Sequence, residues 1–283
     1  RSALGDVAYN LGFHSAPHQH SGEYHWHVHI WPQLVTQAGF ERGTGDLSLT
    51  TTPTEYTLVL TDVTYTTIAP EYGDLSDVAT LIDEVHRRKM RILFDLVLNH
   101  CSRENLWFID YIAGQEPACN YFIEVDAGEN LAMVTRPRSS PVLSGVRTHR
   151  GLRYVWTTFS NDQIDMNYAN PDVLLEFVDI LLYYFRRGAR MIRLDAVAYL
   201  WKEIGTPCIH LPQTHQIIKL FRDVLELVEP GGLLMTETNV PHQENVSYFG
   251  NGHNEAQMVY QFTLAPLILH TFHSGNATAL QQW

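Results

Sequence analysis

The sequence predicts an α/β fold built of parallel βα units. Three observations lead there. From residue 56 onward, apolar strand-like runs alternate with amphipathic helical runs. Hydrophobic residues make up 45% of the 283, enough for a substantial core and too many for a disordered chain. Polar side chains recur at the C-terminal ends of the predicted strands, as Asn99 and His100, Asp195, and Glu237. In a parallel (β/α) barrel, that end of the strands carries the site.

The elements follow in order. Residues 24–32 (YHWHVHIWP) alternate ring and apolar side chains with period two, a strand pattern closed by Pro32. Residues 46–55 are rich in Thr and Ser around Pro53 and read as a junction. Residues 56–65 are strand-like, 77–89 (DVATLIDEVHRRK) form an amphipathic helix, and 91–98 (RILFDLVL) form a buried strand. Residues 101–165 are long and irregular, with turn chemistry at 136–141 (RPRSSP). A helix over 171–187 starts next to Asn170, a good cap. Strand 189–195, helix 213–228, strand 233–238 and strand 258–262 complete the series. The domain reading is a short β segment and junction over 1–50, then a barrel over 51–283, with 101–165 as an inserted loop subdomain.

Composition removes several function classes. A formal charge of −12 argues against a binder of nucleic acid, which needs a basic stripe. No apolar run reaches the roughly 20 residues that span a bilayer. Cys101, Cys119 and Cys208 lie far apart and form no CxxC, so a disulfide framework or zinc ribbon is not expected. With no secretory signal over residues 1–10, a reducing, cytoplasmic setting is expected.

Glycosidic-bond chemistry needs two carboxyl groups facing one bond, one as acid/base and one as nucleophile or base. Three strand ends offer acidic or polar side chains, at 95–100, 193–195 and Glu237; two carboxylates on separate ends would meet that need, and solvent-facing acids at loop starts are the alternative. The words around them are specific. DLVLNH (95–100) resembles the first signature of the α-amylase superfamily, glycoside hydrolase family 13. GARMIRLDA (188–196) resembles the second and LLMTET (233–238) the third, in the right order and spacing. The words YLWKEIGTPC (199–208), YQFTLAPL (260–267), RPR (136–138) and VWTTF (155–159) are similar to the sucrose phosphorylase subgroup, as are residues 65–73. That subgroup includes sucrose, sucrose-6′-phosphate and glucosylglycerate phosphorylases, and these words do not choose between their donors.

The resemblance covers residues 56–283 and implies a TIM-type (β/α)8 barrel performing retaining α-glucosyl transfer to phosphate. It implies Asp195 as nucleophile and Glu237 as general acid/base. Arg193, two residues before Asp195 and on the same strand face, would hold Asp195 ionised and oriented. His100 is implied as a contact to the glucosyl ring, with Asp95 and Asn99 bracing the site. Arg136 and Arg138 are placed where they could approach phosphate, although a solvated turn is the simpler reading of that pair. The partners implied are an α-glucoside such as sucrose or glucosylglycerate and inorganic phosphate. No metal or cofactor is required for the glucosyl step.

The pattern departs from the family in two places. The fourth signature, a His-Asp pair, should lie beyond Leu269, but His270 and His273 are followed by Thr and Ser. Residues 24–49 stand where the first barrel strand should be. The expectation is therefore an incomplete barrel, which a swapped homodimer could close.

Histidines crowd residues 10–30. His25, His27 and His29 fall at i, i+2 and i+4, on one face of a strand. Converging imidazoles suit a transition metal or phosphate transfer. Together with YNLGFHSAP (9–17), this segment resembles the C-terminal half of galactose-1-phosphate uridylyltransferase over residues 9–45. That resemblance implies His14, His27 and His29 as ligands to zinc or iron. The competing reading of the whole chain is thus a non-catalytic mosaic with a His-rich metal-binding segment.

Overall fold

The computed structural model describes residues 8–14, 27–33, 55–59, 64–68 and 73–283, the first three segments as backbone strands. β1 (Ala8–His14) and β2 (His27–Gln33) pair antiparallel. The main sheet contains five strands: β3 (Glu55–Val59), β4 (Arg91–Val97), β9 (Met191–Asp195), β10 (Leu233–Thr236) and β11 (Met258–Val259). Their spatial order is β11-β10-β9-β4-β3, every neighbour parallel. This is the expected α/β architecture, an arc of a (β/α) barrel. The predicted strands 56–65, 189–195, 233–238 and 258–262 overlap these elements, with shorter bounds. The predicted junction at 46–55 lies almost wholly outside the described residues.

Helices connect the strands. α1 (Leu75–Arg87) precedes β4, α3 (Pro171–Arg186) precedes β9, and α4 (Pro212–Val228) precedes β10. Local chemistry sets where they start. Asp74 caps α1 in a capping box, accepting from the backbone N–H of Ser76 and Asp77 at 2.7 and 3.1 Å while Asp77 accepts from Asp74 N. Asn170 caps α3, with Pro171 at its first turn, as its sequence suggests. α3 then turns into β9 at Gly188, whose φ is +107° and whose missing Cβ would lie 2.8 Å from Ile82. Glycine is required there twice over, for backbone and for space.

Alternation along each strand divides the core. Ile92, Phe94 and Leu96 of β4, Ile192 and Leu194 of β9, and Leu234 of β10 face the helices in the main cluster. The opposite face carries Leu93, Met191, Met235 and Met258, which form a separate apolar layer. Register stacks the next inward residues: Asp95 lies opposite Arg193, and Val97 opposite Asp195. The inner face is thus greasy toward the strand starts and charged toward the strand ends.

Residues 101–165 contain more structure than the expected irregular loop. β5 (His100–Ser102) pairs antiparallel with β8 (Gln163–Asp165), closing the insertion at its base. Between them lie α2 (Leu106–Ala113) and a hairpin of β6 (Leu143–Thr148) and β7 (Gly151–Trp156). After β10 come α5 (His242–Ser247), α6 (Leu264–Ser274) and α7 (Thr278–Gln282). No helix among the described residues is long and apolar enough to cross a membrane.

Candidate active site

The ends of β4, β9 and β10 gather three carboxylates around one guanidinium. Arg193 Nη1 lies 2.7 and 2.5 Å from the two oxygens of Asp95 and 2.9 Å from Asp195 Oδ1. Its Nη2 is 3.9 Å from Glu237 Oε1, and its Cζ sits 5.5 Å from the centre of the Tyr260 ring. Parallel register produces this directly, because it places Asp95 and Arg193 side by side. Arg193 and Asp195, two apart, share the inward face.

Glu237 lies one residue past β10, yet its backbone N–H still donates to Leu194 O at 2.9 Å. Its Oε2 accepts from the N–H of Ala196 at 3.1 Å. Ala196 adopts the left-handed region at φ +49°, a conformation that costs an alanine about 1–2 kcal/mol. That turn begins a short 3₁₀ segment, Val197–Tyr199, and aims an N–H at a carboxylate. The strain sits at the site itself.

Burial sets the proton affinities. It pushes the Glu237 carboxyl up to about 7, with Asp195 adding to the rise and Arg193 opposing it. It pushes Asp95 up to about 6, again against the pull of Arg193. Burial works against the charge on Arg193, but the neighbouring Asp95, Asp195 and Glu237 more than offset it, so the guanidinium stays protonated.

A second polar network borders the first. Asp165, fully buried, accepts from Thr158 N at 2.8 Å, Thr158 Oγ1 at 2.6 Å and Asn99 Nδ2 at 3.0 Å. Lys202 Nζ lies 2.6 Å from Asp165 Oδ2 and donates to Asn99 Oδ1 at 2.8 Å. Asn99 is therefore fixed through both ends of its amide. The His100 ring sits between two side-chain amides, Asn99 at 3.3 Å from Nδ1 and Gln163 at 2.8 Å from Nε2. Phe159 packs 5.3 Å from His100 and 5.3 Å from Tyr199.

Arg193, Asp195, Glu237 and Asp95 thus come together, and Asn99 and His100 join through the second network. Arg136 and Arg138 part company. Arg136 Nη2 donates to Ser139 O at 2.8 Å and Ser140 O at 2.6 Å, bracing its own exposed turn. Arg138 lies near Tyr199, whose phenol is pushed up to about 12 by burial and by Glu237, with Arg138 easing the rise. Asp165, Lys202 and Gln163 carry no such expectation in the sequence. Lys202 lies inside the 199–208 word, but nothing local shows that its amine is buried.

The histidine reading is only partly open to inspection. Register sets His14 opposite His27, and Gly12 opposite His29. The side chains of His14, His27 and His29 lie outside the described residues. Among those described, no cluster of three or more His, Cys, Asp or Glu side chains could hold a metal.

Comparison with known proteins agrees on the lineage. The chain is 49% identical over 221 residues to glucosylglycerate phosphorylase of Allomeiothermus silvanus, covering 78% of this chain and 39% of that one. It is 47% identical over 223 residues to the glucosylglycerate phosphorylase of Escherichia coli, again covering 78% and 39%. The chain therefore spans about two-fifths of the length of these curated relatives. Among solved structures, sucrose 6F-phosphate phosphorylase from Thermoanaerobacter thermosaccharolyticum superposes with a TM-score of 0.67 at 24% identity, over 78% of this chain and 46% of that one, a likeness of fold. The family model for the alpha-amylase catalytic domain matches residues 60–282, and with it the parallel sheet and the carboxylates at its strand ends place this chain in the alpha-amylase family.

Proposed function

We propose that the chain performs retaining α-glucosyl transfer of the phosphorylase type, with an α-glucoside as donor and phosphate as acceptor. The observation that carries the proposal is the unequal treatment of two neighbouring carboxyls. Glu237 is raised to about 7, while Asp195 lies 2.9 Å from Arg193. One group is suited to give a proton and the other to attack. Relatives named glucosylglycerate phosphorylase, matching over 78% of this chain, support the reaction type.

The reaction runs by double displacement. Asp195 attacks the anomeric carbon while protonated Glu237 gives its proton to the departing glycosidic oxygen. A β-glucosyl ester on Asp195 results, and Glu237 is left as a carboxylate. Phosphate then attacks the same carbon, Glu237 takes back a proton from the incoming phosphate hydroxyl, and α-glucose 1-phosphate leaves. His100, held between Asn99 and Gln163, faces the glucosyl ring. No metal enters either step.

The test is intact mass after incubation of the full chain with α-glucosyl fluoride. The activated fluoride leaves without acid help, so Glu237→Gln forms the ester but turns it over slowly. We expect one added glucosyl unit in Glu237→Gln and none in Glu237→Gln carrying Asp195→Asn. An adduct of equal yield in both would refute the role of Asp195.

A further inference from the structure

The opposite end of the sheet has its own charge pattern. Residues 86–91 (HRRKMR) and 186–190 (RRGAR) together hold seven of the chain's 19 lysines and arginines, although the net charge is −12. Parallel pairing of β4 with β9 brings the two segments together at the strand starts, where Arg190 N donates to Ile92 O at 3.2 Å. A cavity of about 660 Å³ opens there, with His86, Lys89, Arg91, Arg190 and Glu229 on its walls and the 230–232 turn closing one side.

Some of these cations are already engaged. Glu84 pairs with Arg87 at 2.5 Å and with Arg88 at 2.9 Å, and Arg187 stacks 5.0 Å over the Tyr183 ring. The three on the cavity wall are not. Lys89, Arg91 and Arg190 make no ion pair among the described residues, and Arg190 Nη1 reaches only the carbonyl of Ala189, at 3.3 Å. Among the described side chains lining the cavity, Glu229 is the one acid against these three cations, a surplus of two positive charges on that wall in a strongly acidic chain. Lys89 also holds the left-handed conformation, φ +60°, which glycine would adopt at lower cost.

We propose that this basal cavity binds a small, multiply charged anion of the phosphate class. Arginine forks recognise phosphate oxygens in pairs, and Lys89 adds a mobile point charge. The volume is that of a small-molecule site, large enough for a diphosphate or a phosphorylated sugar. β9 separates it from Asp195 by a five-residue strand, roughly 13 Å at 3.3 Å per residue, so it is distinct from the carboxylate site.

The test uses ¹⁵N-labelled full chain carrying Asp195→Asn, so that glucosyl transfer plays no part. Inorganic pyrophosphate is titrated at physiological ionic strength while the amide signals of Gly188, Gly231 and Gly232 are followed. Saturable shifts at these glycines are expected. Arg91→Gln with Arg190→Gln should weaken binding at least tenfold, Lys89→Gln should weaken it severalfold, and Arg147→Gln, an exposed control, should leave it unchanged. Glucose 1-phosphate in a parallel titration separates a sugar phosphate from a simple diphosphate: the tighter of the two names the ligand. Shifts that fail to saturate, that sulfate reproduces at equal charge, or that survive the double substitution would overturn the proposal.

Discussion

Two buried charge clusters stand side by side at the strand ends, and they are built on opposite plans. Around Asp165 the charges balance: one carboxylate meets one ammonium, and Asn99 and Thr158 supply its remaining hydrogen bonds. Around Arg193 they do not. One guanidinium faces Asp95, Asp195 and Glu237, a formal surplus of two negative charges if all three ionise. A balanced, fully bonded cluster leaves no surplus charge to be neutralised. An unbalanced one must hold a proton somewhere, and Glu237, raised to about 7, is where it goes. The first cluster is built to brace, and the second is the one proposed to react.

Removing the cation from each cluster separates the two plans most sharply. Arg193→Met strands three carboxylates in a buried layer, and the destabilisation should reach the upper part of the roughly 3–5 kcal/mol range for a broken buried pair. It should also grow between pH 5 and 8, because at low pH the stranded acids can protonate. Lys202→Met strands only Asp165, which keeps its hydrogen bonds from Thr158 N, Thr158 Oγ1 and Asn99 Nδ2. Its cost should sit nearer 3 kcal/mol and rise less steeply over the same range, one carboxyl being stranded rather than three. Urea unfolding of both variants at pH 5 and pH 8 measures this. Parallel pH responses would show that the clusters do not differ as described.

How much of this can be read without coordinates depends on the distance over which a residue is recognised. Asp195 and Glu237 announce themselves, since each closes an apolar run with strand periodicity, Asp95 and Arg193 stand as charges inside such runs, and parallel βα order makes the strand ends converge. The inner layer of Leu93, Met191, Met235 and Met258 follows from the same period. The Asp165–Lys202 pair does not. Its members lie 37 positions apart, Asp165 at the end of the three-residue β8 and Lys202 in a loop, and only tertiary burial turns an ordinary lysine into a structural one. Likewise α2 is eight residues long, and its exposed Leu106 and Ile109 blur any amphipathic pattern. Arg136, weighed between an approach to phosphate and a solvated turn, donates to the carbonyls of its own exposed turn.

The next contrast is titration of the reactive cluster alone. The Glu237 carboxyl is raised from 4.5 to about 7, so between those values the folded chain holds a proton that the unfolded chain has released. The stability tied to that proton is full below about pH 4.5 and is lost as pH rises through 7. Glu237→Gln cannot lose it. The variant should therefore overtake the parent in stability by pH 8, by on the order of 1–3 kcal/mol, and show a flatter dependence of Tm on pH from 5 to 8. A parent with no fall in Tm over that interval would mean that Glu237 is not raised.

The smallest effect tests whether the bracing cluster serves the reactive one. Gln163 touches His100 Nε2 at 2.8 Å, while Asn99 reaches Nδ1 at 3.3 Å. Removing the closer amide frees one edge of the ring without disturbing Asp165 or Lys202. A single neutral hydrogen bond contributes about 1 kcal/mol, which is roughly a fivefold change in an equilibrium. Gln163→Ala should raise KM for α-glucosyl fluoride by about that factor, with kcat nearly unchanged, because His100 is proposed to hold the ring rather than take part in bond breaking. The pH profile should not move, since the proton in question belongs to Glu237. A Gln163→Ala variant that lowered kcat and left KM alone would place His100 among the groups that act in the transition state, and the division between a bracing and a reacting cluster would then run through His100 rather than beside it.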